Sequence, residues 1–338
     1  MKNLRAVLRR DRVGKTPPLA IEPCDLAPLA SGDVRLRVRA CGVCRTDLHI
    51  VSGELKPHRD EIVPGHQIVG EIIESAAKDR PVGMRVGVSW MGGTDGTCAY
   101  CKSDRENLCD APIFTGYDRD GGYACYADAR ADFTHPLPEK LDDLHAAPLL
   151  CAGVIGFRAL RVAGVEKGER VGLYGYGASA HLMLAVLRAW GCEVYVATRG
   201  EKRRALADEM GATWTGDATE KPPHPLDRAV TFAPAGDVVV SALGALRKGG
   251  VVAINAIHLD RMPSFDYDSL LWGERQIRSV ANMTRDDARD FLELAAKIHL
   301  EPKATAYPLD HANEALAALA ADEISGAAVI VPRILAER

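Results

Sequence analysis

The chain has 338 residues, of which 47% are hydrophobic and 26% charged, with a formal net charge of -4. A chain of this length exceeds the usual size of a single hydrophobic core, so we expect two folded domains and no long disordered region. The slightly acidic balance offers no basic surface for a phosphate backbone, which excludes nucleic acid as an expected partner.

Neither export nor membrane insertion is expected. Residues 1–12 contain several arginines and no apolar segment of the kind that a secretory signal needs. The apolar stretch at residues 182–187 is too short to cross a bilayer. Nine cysteines are few for a disulfide scaffold of this length. We therefore expect a cytoplasmic protein whose clustered thiols bind metal.

From residue 4 to about residue 148 the pattern is that of short strands and turns. Apolar and charged residues alternate around Val34, Leu36 and Val38, and further apolar runs cover residues 68–73 and 82–88. We interpret this part as mostly β structure.

After Cys151, predicted strands and helices alternate. The strands are expected at residues 170–174, 193–197, 229–232 and 250–254, and the helices at residues 179–190 and 201–210. Such alternation favours a doubly wound parallel sheet of the Rossmann type. The tail from about residue 284 has two helical runs and a strand at residues 327–331, and it need not belong to that sheet.

Three cysteines and one aspartate lie close together in a glycine-containing loop. They are Asp95, Cys98, Cys101 and Cys109. Zinc prefers four tetrahedral ligands, and four protein ligands leave no position open for a substrate. The spacing therefore predicts a structural zinc site, the alternative being a loop with small buried cysteines.

A second set of candidate ligands is dispersed along the chain. It comprises Cys41, Cys44, His49, His66 and Cys151. Each of these residues alone would more commonly be a core residue than a ligand. Together they indicate a second metal site, and spacing leaves Cys41 and Cys44 as alternatives within it.

A G-x-G-x-x-A turn is formed by Gly175, Gly177 and Ala180, between a predicted strand and a predicted helix. In this context the pattern is typical of dinucleotide binding, with the pyrophosphate at the helix N-terminus. The next strand ends at Thr198 and Arg199, where NAD-binding proteins usually carry an acid. A hydroxyl and a guanidinium favour the 2′-phosphate of NADP(H).

Arg203 and Arg204 are possible auxiliary contacts for that phosphate. The alternative is a solvated helix start, in which case NAD(H) would also serve as cofactor.

In combination these motifs resemble the zinc-dependent alcohol dehydrogenases of the medium-chain dehydrogenase/reductase family, most closely the bacterial cinnamyl-alcohol-dehydrogenase-like and propanol-preferring branches. The resemblance covers essentially the whole chain. It is carried by residues 42–49, 64–66, 95–109, 150–153 and 175–177. It implies a discontinuous GroES-like catalytic domain, residues 1–152 and 285–338, and a Rossmann NADP-binding domain, residues 153–284.

The resemblance also implies roles for individual residues. Cys44, rather than Cys41, matches the first ligand of the catalytic zinc, and His66 and Cys151 match the other two, as is general for alcohol dehydrogenases. The remaining matches are Thr46 and His49 to positions that pass the alcohol proton to solvent, Asp47 to a position near the metal, and Arg45 to a contact with cofactor phosphates.

Some positions depart from the family pattern. Gln67 replaces a glutamate that often follows the ligand histidine, Asp95 replaces a cysteine, and Ala327 replaces a basic cofactor contact. Trp90 occupies a position that lines the substrate pocket in relatives, with Tyr117 expected nearby, although a core or interface role for Trp90 is an equal alternative.

These observations lead us to expect a zinc-dependent alcohol dehydrogenase or aldehyde reductase (EC 1.1.1.-). It would transfer a hydride between NADP(H) and a primary alcohol or aldehyde bound to zinc. One alternative is a zinc-free NADPH reductase of quinones or enones, and another is a redox sensor that binds cofactor without turnover. Thr46 and His49 favour the enzyme, because a sensor needs no exit for a proton. The family expectation is a homodimer or homotetramer.

Overall fold

The computed structural model describes residues 2–256 and 258–332. It forms two compact units, the first comprising the described residues up to Cys151 and from Thr284 onward, the second comprising Ala152–Met283. These boundaries lie one residue from those implied by the family resemblance. Residues 333–338, which the resemblance assigns to the catalytic domain, lie outside the described residues.

Short strands dominate the first unit. Up to Cys151 its elements are β1 Lys2–Arg9, β2 Leu19–Asp25, β3 Asp33–Val43, α1 Arg45–Ser52, β4 Glu61–Ile62, β5 Gln67–Ser75, β6 Arg85–Val88, β7 Met91–Gly93, β8 Ile113–Phe114, β9 Tyr126–Arg130, β10 Thr134–Pro136 and α2 Asp143–Pro148.

In the second unit strands and helices alternate. Its elements are α3 Val154–Ala163, β11 Arg170–Tyr174, α4 Ala178–Ala189, β12 Glu193–Ala197, α5 Glu201–Glu209, β13 Trp214–Gly216, β14 Leu226–Thr231, α6 Gly236–Ala245, β15 Leu246–Ile254, α7 Tyr267–Leu270 and β16 Gln276–Ser279. The tail, part of the first unit, contributes α8 Arg285–Lys297, β17 Ala304–Pro308, α9 Ala312–Ala320 and β18 Ala327–Val331.

The largest sheet of the first unit has the order β10-β6-β5-β3-β18-β17, with β9 also paired to β3. The tail belongs to this unit because β18 pairs antiparallel with β3, placing Val329 opposite Gly42. Alternate residues of β3, including Val34, Leu36 and Val38, are buried in the core, as the sequence pattern predicts.

In the described part of the second unit, the six strands are all parallel, in the order β13-β12-β11-β14-β15-β16. This order, in which the first strand of the domain lies at the centre, is that of doubly wound dinucleotide-binding domains. The observed β11 and β12 coincide with the predicted strands. The fold is therefore a Rossmann-type parallel sheet unit together with a β-rich unit.

One predicted strand begins later than expected. Val82 is 64% exposed, and Gly83 has a φ of +88°, so the chain turns there and β6 starts at Arg85. A different segment, Asp143–Ala163, is long and apolar enough to span a membrane, but 67% of its most apolar window is buried within the protein. That burial is typical of a core helix.

Candidate active site

Cys44 lies at the junction between β3 and α1. It is the N-cap of α1, and its Sγ accepts a hydrogen bond from the backbone N–H of Thr46 at 3.4 Å. Its own N–H donates to Asp47 Oδ2 at 2.9 Å. This reciprocal arrangement is a capping box in which a cysteine takes the usual place of serine or threonine, and it fixes the direction of the thiol.

His66 precedes β5 and is completely buried. Its Nε2 lies 3.3 Å from Cys44 Sγ, and its Nδ1 lies 3.4 Å from Asp47 Oδ1. The same Asp47 oxygen accepts the N–H of Gly65 at 3.3 Å. Asp47 therefore places its carboxylate beside Nδ1, while Nε2 faces the cysteine.

Cys151 lies in a π-helical turn, Leu149–Gly153, a type of irregularity frequent at functional sites. Its neighbour Leu150 packs so closely on Gly87 of β6 that a Cβ added there would lie 2.5 Å from the leucine. The ligand atoms of Cys44, His66 and Cys151 all lie within 4.8 Å of one another.

Cys41 is not a member of this cluster. Its Sγ lies 2.8 Å from the place that a Cβ on Gly65 would occupy and 2.9 Å from the equivalent place on Gly122, and burial raises the pKa of its thiol well above the usual value. Of the two cysteines that the sequence left open, the structure brings Cys44 to His66 and Cys151.

The electrostatics of the cluster favour a thiolate. The hydrogen bond from Cys151 lowers the pKa of Cys44 well below its usual value against the opposing effect of burial, while the same contact raises the pKa of Cys151. Burial alone would lower the pKa of His66, but the charges of Cys44 and Asp47 raise it to about 10. Cysteine binds metal as the thiolate, the form that this surrounding stabilises at Cys44.

Two sulfur atoms and one imidazole nitrogen, converging in a partly buried position, fit the ligand preferences of zinc. Three protein ligands leave one tetrahedral position for another molecule, which distinguishes this cluster from a structural site.

The four residues of the predicted structural site also come together, with ligand atoms within 4.8 Å of one another. They are Asp95, Cys98, Cys101 and Cys109. Asp95 Oδ1 accepts the N–H groups of Thr97 and Cys98, at 2.8 and 3.0 Å, and these bonds hold the pKa of Asp95 well below its usual value. An ionised carboxylate beside three thiols fits zinc as a closed site.

An aromatic wall, which we define as Trp90, Phe114 and Tyr117, stands beside the three-ligand cluster. Trp90 meets the ring of His66 edge-on, with centroids 5.2 Å apart. It stacks on Phe114 at 4.8 Å and on Tyr117 at 5.9 Å. Trp90 and Tyr117 are therefore near the cluster, as expected, whereas Phe114 carries no motif in the sequence that would have indicated it.

The glycine-rich turn of the second unit has the geometry of a phosphate-binding turn. Gly175 has a φ of +89°, and a Cβ there would lie 2.9 Å from the backbone nitrogen of Ala233. Gly177 is the N-cap of α4, and Ala180 is buried within its first turn. These residues leave the backbone N–H groups at the start of α4 accessible to an anion.

Thr198 lies at the end of β12, next to this turn, because the N–H of Gly175 donates to Ala197 O at 2.8 Å. Arg204 donates to Thr198 O at 3.1 Å, and it lies 3.4 Å from Asp217. Arg199 and Arg203 are exposed. The end of β12 therefore presents the guanidinium groups of Arg199 and Arg203, whereas Thr198 is buried. Residues 193–199 contain one acid, Glu193, at the opposite end of the strand.

Family profiles match both units. One described as the alcohol dehydrogenase GroES-like domain matches residues 30–139, and one described as zinc-binding dehydrogenase matches residues 180–297. A Mycobacterium tuberculosis protein described as a probable alcohol dehydrogenase, AdhA, is 46% identical over 326 residues, covering 91% of this chain and 94% of the relative. This chain belongs to the zinc-binding alcohol dehydrogenase family.

Two further comparisons agree with this membership. An alcohol dehydrogenase of Geobacillus stearothermophilus is 32% identical over 329 residues, covering 93% of this chain and 96% of the relative. The crystal structure of AibC, 26% identical, superposes with a TM-score of 0.90 over 98% of this chain and 96% of that chain. The β-rich unit is thus the GroES-like part of the family fold, and the parallel sheet unit is its Rossmann part.

Several residues that the family resemblance singled out have partners within this family member. Arg45 forms an exposed ion pair with Asp322 at 2.5 Å. His49 lies in α1 with its Nδ1 2.5 Å from Glu54 Oε2, a partner that no motif indicated. Gln67 is buried against Gly42, and Ala327 is the uncharged first residue of β18.

Proposed function

We propose that this family member is a zinc-dependent alcohol dehydrogenase or aldehyde reductase that transfers a hydride between NADP(H) and a primary alcohol or aldehyde. The observation that carries the proposal is the convergence of Cys44, His66 and Cys151 within 4.8 Å. These three ligands would leave the fourth coordination position of a tetrahedral zinc ion for the substrate. Asp95, Cys98, Cys101 and Cys109 would hold a second, structural zinc.

A zinc ion held by Cys44, His66 and Cys151 would supply Lewis-acid polarisation of an alcohol or carbonyl oxygen. The carboxylate of Asp47 lies beside Nδ1 of His66, while Nε2 faces Cys44. Thr46 and His49, three residues apart, lie on the same side of α1. Thr46 would take the alcohol proton, and His49, partly exposed and held by Glu54, would pass it to solvent.

For the cofactor, we propose that the pyrophosphate binds at the turn of Gly175 and Gly177, with Arg45 as a further contact to cofactor phosphates. The 2′-phosphate would lie at Thr198 and Arg199. The absence of an acid at residues 198–199 supports NADP(H) over NAD(H). We further propose that Trp90 lines the substrate pocket, since its ring contacts His66.

A panel of aldehydes incubated with NADPH and with NADH, followed by nicotinamide absorbance, tests this function. We expect turnover with NADPH, loss of turnover on chelation, and background activity in Cys44→Ser with about one zinc fewer per chain. Turnover that survives both chelation and Cys44→Ser would favour the zinc-free quinone or enone reductase. No turnover of any aldehyde by zinc-replete protein would favour the redox sensor.

We also propose a cytoplasmic location and small-molecule substrates, with neither nucleic acid nor a membrane as partner. Fractionation of cells that produce the protein tests the location, and recovery with the membrane fraction would contradict it.

A further inference from the structure

Two side chains, His58 and Asp118, form a hydrogen-bonded group with one member of the aromatic wall, Tyr117. His58 Nδ1 lies 2.7 Å from Asp118 Oδ1, and His58 Nε2 lies 3.1 Å from the hydroxyl of Tyr117. The rings of His58 and Tyr117 are 4.4 Å apart. The group joins the loop that contains His58 to the turn at residues 114–119.

The directions of these hydrogen bonds follow from the chemistry of the partners. The hydroxyl of Tyr117 donates to Lys56 O at 2.6 Å, because a carbonyl only accepts. His58 Nε2 must then donate to the oxygen of Tyr117. Asp118 uses both oxygens, since Oδ1 accepts from His58 and Oδ2 accepts the N–H of Phe114 at 2.8 Å. One carboxylate therefore holds both the histidine and the backbone of the wall.

The turn at residues 114–119 also packs closely against Gly65, the neighbour of the candidate ligand His66. Gly116 has a φ of +75°, and a Cβ there would lie 2.9 Å from the nitrogen of Gly65, the residue before His66. Within the same turn, the N–H of Thr115 donates to Trp90 O at 2.9 Å. A shift of this turn would consequently move Trp90 relative to the His66 ring.

We propose that Asp118 and His58 form a clamp that holds the aromatic wall in place beside His66, through Tyr117 and the backbone of Phe114, and thereby limits the bulk of the group next to the reacting carbon. The inference rests on the proposed dehydrogenase function. Asp118 and His58 are positioning residues, because they act on the pocket through Tyr117 and Phe114.

The specificity role is tested by the ratio of kcat/KM for a branched aldehyde, 2,2-dimethylpropanal, to that for propanal. In His58→Ala, Tyr117→Phe and Asp118→Ala we expect this ratio to rise by about three- to tenfold, the effect of one or two lost hydrogen bonds. In His58→Ala and Asp118→Ala the change should arise mainly from a lower KM for the branched aldehyde, with little change in kcat for propanal.

Two matched variants separate the clamp from general loss of structure. Asp118→Asn should retain the wild-type ratio, because its Oδ1 can accept from Phe114 while its Nδ2 donates to Nδ1 of His58, which leaves Nε2 of His58 to donate to Tyr117. Arg59→Gln removes an exposed charge of the same loop, paired with Asp120 at 3.3 Å, and should also leave the ratio unchanged.

Hydrogen exchange of the backbone amides of residues 113–118, measured in the zinc-loaded protein without substrate, is a second test of the clamp. We expect exchange about tenfold faster in Asp118→Ala and His58→Ala, and unchanged exchange in Asp118→Asn. Unchanged exchange in the alanine variants would overturn the clamp, whereas faster exchange with an unchanged ratio would overturn its role in specificity. A wild-type protein without turnover would refute the proposed function and the specificity role together, while exchange would still report on the clamp itself.

Discussion

Asp47 illustrates how one buried side chain fixes several parts of the candidate site. Its two oxygens bind the N–H groups of Cys44 and Gly65 and lie close to His66 Nδ1. A buried carboxylate is costly unless it has such partners, and here the partners are the two segments that carry metal ligands. Asp47 thus connects the segments that carry Cys44 and His66.

His135 provides a test of stability against pH. It is buried beside Ser89, whose Oγ lies 3.2 Å from His135 Nε2, and burial together with the positive charges of Arg80 and Arg285 lowers its pKa to about 4. In the unfolded chain a histidine has a pKa near 6.5, so the native state binds fewer protons than the unfolded state between these values. Its contribution to stability is complete above pH 6.5 and is lost as the pH falls towards 4.

With these two pKa values, the free energy of unfolding should fall by about 2 kcal/mol between pH 8 and pH 5 on account of His135. The measurement is denaturant unfolding of the wild type and of His135→Gln at both pH values. In His135→Gln the free energy of unfolding should fall less between pH 8 and pH 5, by the contribution that His135 makes in the wild type. An equal fall in the two proteins would contradict the neutral state of His135.

For individual residues, the sequence indicates which side chains bind metal better than it indicates which side chains they contact. Spacing indicated the metal-binding groups, because ligand chemistry restricts them to a few residue types. Spacing could not decide between Cys41 and Cys44, since that choice depends on which thiol the start of α1 turns towards His66. Nor did any motif mark Phe114, whose place in the aromatic wall depends on a turn stabilised by Asp118.

At the scale of elements, the continuous apolar strands of the parallel sheet were predicted, whereas the start of α1 and the helix α6 were not. The predicted β11 and β12 have the observed bounds, because buried parallel strands form continuous apolar runs. The start of α1 was not predicted, since its N-cap is a cysteine. The helix α6 contains three consecutive valines, a composition that favours strands, but tertiary packing against β14 and β15 overrides that preference.

The cysteine-containing loop gives a prediction about Asp95. Because oxygen is a harder ligand than sulfur, we expect Asp95→Cys to retain the proposed structural zinc about tenfold longer against a chelator, and Asp95→Ala to lose it first. Zinc release measured with a colorimetric chelator, together with the melting temperature, checks this. Asp110→Ala, which removes an exposed charge of the same loop, is the control. Equal zinc retention in Asp95→Ala and the wild type would exclude Asp95 as a ligand.

The turn after β12 gives a prediction about Arg199. This residue is exposed, and within the described part of the chain it forms no ion pair, so its charge is available to a ligand. A charge-assisted hydrogen bond to the 2′-phosphate contributes about 1.5–3 kcal/mol, and Arg199→Ala should therefore lower kcat/KM for NADPH at least about tenfold. NADH, which lacks that phosphate, is the internal control. A similar loss with both cofactors, or a wild-type preference for NADH, would argue against this contact.

At the scale of the whole molecule, the order of the strands explains why the first unit is discontinuous in sequence. The tail returns to pair β18 with β3, the strand that leads directly to Cys44. The sequence showed that the tail differs from the alternating pattern before it, but not which strand it joins. Strand pairing over such a separation depends on long-range packing, which local patterns do not encode.

The parallel sheet of the second unit bears on the oligomeric state. In the described residues, β16 pairs with β15 on one side and lies at the edge of its sheet, where unpaired backbone groups favour pairing with another chain. Near it in sequence, Trp272 is 63% exposed and Tyr267 is 55% exposed, with ring centroids 6.0 Å apart. Large exposed aromatic residues of this kind are typical of protein interfaces.

We therefore propose that two copies associate through β16 and these aromatic residues, as an isologous dimer or as part of a tetramer. Light scattering coupled to size-exclusion chromatography should give a mass of at least twice 36.4 kDa for the wild type. Trp272→Glu places a charge in the interface and should shift the protein towards the monomer, by about tenfold or more in the dissociation constant. Val82→Glu, a control with similar exposure in the other unit, should leave the mass unchanged. A monomeric wild type, or an unchanged mass for Trp272→Glu, would exclude this interface.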